Sequence, residues 1–180
     1  PGAGQPRIAG FFGNPGDWCV VGMPGGGRDD ATRQTIYHEA VHWFATASDT
    51  PQPLWFAEGI AEVLSTFKVV DGKGRWGQAI ADNVAYLSGD GLLPMEDLLR
   101  ASQDEALHGN ERNKYYPQAW AFVHYLMFGN GGADAPKLAA FLGELRRTDP
   151  DTAVHTALGK SYDELTNDLR RYLQRGRYGH

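Results

Sequence analysis

His38-Glu39-Ala40-Val41-His42 lies inside a helix-forming run, and its spacing is that of half a zinc site. Residues four apart share one helical face and lie about 6 Å apart along the axis, so both imidazoles can reach a single ion. Glu39 is turned about 100° from His38, beside the metal face rather than on it. There a carboxylate could take a proton from water without ligating the metal, which suits a general base. The histidine and glutamate content of the chain gives roughly 0.01 accidental occurrences of the pattern. The plainer alternative is a helix carrying two packing or surface histidines.

A hydrolytic zinc site needs a third protein ligand and one position left open for water. The longer pattern with a glycine three residues after His42 and a histidine three beyond is excluded, because Ala45 and Ser48 stand there. Fifteen residues, 43 to 57, separate His42 from Glu58, which belongs to the block Trp55-Phe56-Ala57-Glu58-Gly59-Ile60-Ala61-Glu62. The block places two acids four apart on one face of a second helix, and Glu58 is the expected third ligand. Glu62, one turn on, would accept the remaining N–H of a ligating histidine and fix its tautomer. An arbitrary glutamate pair is usually a solvated helix face. Here Trp55, Phe56, Ile60, Ala61, Val63 and Leu64 surround the pair, and acids embedded in such a stretch call for a cation.

The elements that must hold these groups are legible from periodicity and breakers. Short β-type runs at Ile8 to Phe12 and Trp18 to Val21, split by Gly13-Asn14-Pro15-Gly16-Asp17, predict a hairpin. Gly25 to Gly27 reads as a flexible connection, since it lacks the Gly-Lys-Ser/Thr ending of a phosphate cradle. Arg28-Asp29-Asp30 then caps a helix from about Ala31 to Ala47. The break Asp49-Thr50-Pro51-Gln52-Pro53 sets up a second from about Leu54 to Phe67. After a turn at Asp71-Gly72-Lys73-Gly74, the chain reads almost wholly helical. The expected helices run over about 78–88, 94–101, 117–128, 136–147, 151–158 and 162–175. A small β part leading into a helix-rich body is α+β by order of elements.

The 180 residues fit one domain, with residues about 1–75 holding the β part and the two metal-binding helices and about 76–180 a helical part. An apolar share of 42% with 22% charged residues argues against disorder and low complexity. Net charge is −5, so the chain offers no basic field for nucleic acid. Cys19 is the only cysteine, which excludes an intrachain disulfide and a thiolate metal cluster. No apolar run is long enough to span a bilayer. The chain begins at Pro1, so we expect that an upstream segment has been removed. The compartment stays open, and is extracytoplasmic if a targeting segment went with it.

The two blocks together resemble the gluzincin zinc peptidases of the thermolysin-like, peptidase-MA superfamily. The matching residues are His38-Glu39-x-x-His42 and Trp55-x-x-Glu58-Gly59-x-Ala61-Glu62, and the likeness covers roughly residues 18 to 126. It implies a zincin-like fold, a single zinc held by His38, His42 and Glu58, Glu39 as general base, and Glu62 bracing a histidine. Related families place a tyrosine at the start of a later helix, donating to the oxyanion of the tetrahedral intermediate. Tyr115-Tyr116-Pro117-Gln118-Ala119 matches, with Tyr116 the first candidate and Tyr115 the second; the plainer role of either is packing. The Gly-x-Met-Glu-Asn motif of the related aminopeptidases is missing, since Val21-Gly22-Met23-Pro24 offers no acid for a free amine, and this favours an endopeptidase. A peptide or protein substrate is the expected partner, pairing along the sheet edge at Trp18 to Val21. Two alternatives share these residues: a zinc-stapled binding module whose chemistry has lapsed, and a zinc hydrolase of a non-peptide amide. His108 reads as a loop histidine, His124 and Tyr125 as packing, and Arg170, Arg171, Arg175 and Arg177 as a solvated helix end.

Overall fold

The computed structural model describes residues 11–13, 20–22, 30–46, 51–103, 106, 112–176 and 178. Strands β1 (Phe11–Gly13) and β2 (Val20–Gly22) pair antiparallel with Phe12 opposite Val21, so the described part of the expected hairpin is paired. The rest of its two runs, Cys19, Gly25 to Gly27 and His108 lie outside the described residues. Helix α1 (Asp30–Thr46) rests against this hairpin and against α2 (Leu54–Ser65). Both helices fall within two residues of their expected limits, with Asp30 in the first turn of α1 and Pro53 directly before α2.

A second hairpin follows, of which only the turn was expected. Strand β3 (Lys68–Val70) pairs antiparallel with β4 (Lys73–Arg75), Lys68 opposite Arg75. Asp71 and Gly72 take φ of 53° and 72°, as a two-residue turn matched to the strand twist requires.

The described remainder is mainly helical: α3 (Ala81–Asp90), α4 (Met95–Arg100), α5 (Arg112–Phe128), α6 (Ala135–Leu145), α7 (Pro150–Ala153, prolonged by a π turn, Val154–Leu158) and α8 (Tyr162–Gln174). A mostly helical chain with two small antiparallel sheets is compatible with the α+β class. None of its described helices is long and apolar enough to cross a membrane.

Helix α5 is the axis of the body. Ala119, Trp120, Ala121, Phe122 and Val123 are all fully buried, and a helix buried around its whole girth has neighbours on every side. Those neighbours are α2, α3, α4, α6 and α8. Its buried Gln118 and His124 are held by backbone groups and by one hydroxyl. The Leu93 N–H donates to Gln118 Oε1 at 2.6 Å, and Gln118 Nε2 donates back to the Leu93 carbonyl at 3.0 Å. His124 Nε2 donates to the Gly77 carbonyl at 2.7 Å and its Nδ1 meets the Tyr172 hydroxyl at 2.6 Å. His124 thus packs, as expected, and also fastens the second hairpin's exit to α8. Arg170, Arg171 and Arg175 are exposed on α8, with Arg171 paired to Asp168.

Two packing facts bear on the site. Helix α2 approaches α5 so closely at Gly59 that a Cβ there would lie 2.4 Å from the Ala119 carbonyl oxygen and 2.6 Å from Val123 Cγ2. Helix α1, by contrast, gives no described residue to the apolar core, and its Ile36, Trp43 and Phe44 are exposed. So α2 is fixed by the body, and α1 is held from outside.

Candidate metal centre

His38 and His42 project from one face of α1 toward Glu58 on α2. Their Nε2 atoms are 3.1 Å apart, and Glu58 Oε2 lies 3.3 Å from the first and 3.4 Å from the second. Ligands at 2.0–2.1 Å from a tetrahedral zinc are separated by about 3.3–3.4 Å. The three donors therefore already stand at the corners of one face of such a tetrahedron, and they are close enough to hold a metal ion. Two imidazoles and a carboxylate are the donor set of a hydrolytic zinc site. The three side chains keep 13–21% of their exposure, so the cluster is reached by solvent.

Electrostatics agree with the geometry. Burial pushes the Glu58 carboxyl up, but hydrogen bonds and charge from His38 and His42 outweigh it and hold the group at about 2. Burial pushes His38 down, and the carboxylates of Glu58, Glu62 and Glu39 more than offset it, raising the ring above its ordinary value. A proton and a cation thus compete for the same cage, and metal uptake near neutral pH displaces the proton. Glu62 reaches the other side of His38, its Oε1 3.7 Å from Nδ1. That is ion-pair range but longer than a hydrogen bond. Burial raises Glu62, with His38 opposing.

Glu39, at 9% exposure, lies beside this cage, and His38 feels its charge. Its carboxylate makes no hydrogen bond or ion pair with another described residue. Every charged group expected here, His38, Glu39, His42, Glu58 and Glu62, is therefore gathered at the α1–α2 interface.

Of the tyrosine pair, Tyr115 is the more buried. Tyr115 is 3% exposed and its hydroxyl has no hydrogen-bond partner among the described residues. Burial first, then the Glu58 carboxylate, then Tyr116, push its ionisation up. Tyr116 is only half-buried and meets the Tyr115 ring edge-on at 5.9 Å. The Tyr115 hydroxyl shares this unpaired state with Trp55 Nε1, Trp120 Nε1 and the Tyr162 hydroxyl. Spacing alone could not have chosen between them, since neighbours on a helix differ by 100° and α5's packing decides which one turns inward.

Scans against protein-family models, curated proteins and solved structures found no match to this chain.

Proposed function

We propose that this protein is a zinc-dependent hydrolase of peptide bonds, similar to the gluzincin peptidases and built on a zincin-like arrangement. The observation that carries the proposal is the near-equilateral triangle of His38, His42 and Glu58 donors, with sides of 3.1 to 3.4 Å, beside the buried acid Glu39. His38, His42 and Glu58 would hold the ion. Zinc at such a place supplies Lewis acidity, lowering the pKa of water and polarising a scissile carbonyl. Glu39 takes the proton from the attacking water and delivers it to the leaving amine. Glu62 keeps the His38 ring in the orientation that turns Nε2 inward. The Tyr115 hydroxyl, rather than that of Tyr116, donates to the developing oxyanion.

One feature favours the stapled-module alternative as a second reading: α1 contributes nothing to the core among the described residues, so a metal would anchor it. Chelation separates the two. Stripped protein should lose hydrolysis of a mixed peptide library and recover it on adding zinc, while amide exchange rises in α1 and stays slow in α5. Looser α1 without any peptide cleavage in the zinc-loaded protein would leave only the staple.

The tyrosine assignment has its own readout. Tyr115→Phe should lower kcat about 10²-fold with zinc content unchanged, whereas Tyr116→Phe should cost only a few-fold. The reverse order restores the role to Tyr116.

A further inference from the structure

The second hairpin is two-faced. Strand alternation puts Lys68, Val70, Lys73 and Arg75 on one face and Phe67, Val69, Gly74 and Trp76 on the other. The second face touches the body at its two ends, where Phe67 meets Tyr37 of α1 edge-on at 6.1 Å and Trp76 meets Phe128 of α5 at 5.3 Å, while Val69 between them is exposed. Tyr37 directly precedes His38, so the hairpin flanks the metal cluster from the Glu62 end of α2. On the first face Lys68, Lys73 and Arg75 are exposed around the partly buried Val70.

That face is built against itself. Lys68 stands directly opposite Arg75, where like charges are destabilising, and Lys73 lies two residues along the same side. None of the three has an ion-pair partner among the described residues. Residues 68–75 carry +2, which leaves −7 on the rest of a chain whose net charge is −5. A broad polyanion such as an anionic membrane would meet that excess of negative charge. A short acidic segment would not.

We propose that the Lys68–Lys73–Arg75 face is a substrate-docking surface for an extended polypeptide segment with acidic residues at alternate positions. In such a segment, carboxylates two residues apart repeat at about 7 Å, the same step that separates Lys73 from Arg75 along β4. The proposal rests on the peptidase reading, because it names the substrate class for that metal centre, and its test reads binding apart from cleavage.

The test is fluorescence anisotropy of a labelled Ala-Glu repeat peptide and its Ala-Gln counterpart with the zinc-loaded full chain. The acidic peptide should bind about tenfold more tightly, and the difference should shrink as salt rises. Lys68→Glu, Lys73→Glu and Arg75→Glu combined should erase the difference while leaving zinc content and cleavage of neutral peptides unchanged. If that protein does not fold, the corresponding glutamine substitutions serve the same comparison. Equal binding of the two peptides, a preference that survives in the variant, or capture of phosphatidylserine vesicles with no peptide preference each overturns the proposal. Absence of any peptide cleavage, with the binding preference intact, would instead remove the peptidase reading and keep the surface.

Discussion

Glu39→Gln is expected to lower peptide hydrolysis by about 10²- to 10⁴-fold while the protein retains its zinc. The amide has nearly the shape of the carboxylate, so the substitution removes the proton acceptor and little else. Glu39 is not among the three clustered donors, so the cage should survive its neutralisation. His38 loses one of the carboxylates that hold its proton, which leaves metal binding unharmed or slightly easier near neutral pH. Metal analysis beside a progress curve on a cleavable peptide reads both halves. Turnover within a few-fold of the wild type would place the base elsewhere, and loss of zinc would make Glu39 part of the cage.

Much of this site was legible because helical spacing converts residue type into position. Two histidines four apart must share a face, and a glutamate next to the first must lie a third of a turn away, whatever the rest of the fold does. Glu58 was legible because an acid within an apolar stretch requires a partner. The rest depended on packing between helices. Pro117 suggested a helix start, yet α5 begins at Arg112, five residues earlier. The helix gives up one hydrogen bond at the proline because burial of Tyr115 and Ala119 repays the loss. That extra turn decides which tyrosine is inward. The strands of the second hairpin were missed because Lys68 to Arg75 lacks strong apolar alternation, although its Asp-Gly turn was plain. Gln118 and His124 gave a weaker signal, as polar residues inside an apolar helical run whose partners lie far away in sequence.

Gly59→Ala is expected to damage the fold and the metal centre together. The added Cβ would sit 2.4 Å from a carbonyl oxygen and 2.8 Å from its carbon, and neither is the movable end of a side chain. Ordinary contact is nearer 3.5 Å, so α2 and α5 would have to separate by about 1 Å. Overpacking of this kind costs about 1–3 kcal/mol, occasionally more, which in a chain of this length lowers Tm by about 2–4 °C per kcal/mol. Glu58 is the adjacent residue on α2, whereas His38 and His42 are borne by α1, which does not share the core. Any retreat of α2 from α5 therefore moves one corner of the triangle relative to the other two. Because the donor separations already match a tetrahedral edge, such a shift should weaken zinc binding by at least about tenfold, the scale of a disturbed supporting shell. Thermal melts of the zinc-free protein measure the first effect, and zinc competition against a chromogenic chelator measures the second. A lowered Tm with unchanged zinc affinity would show α1 following α2 as one unit. An unchanged Tm would mean that the α2–α5 approach is looser than the Gly59 contact requires.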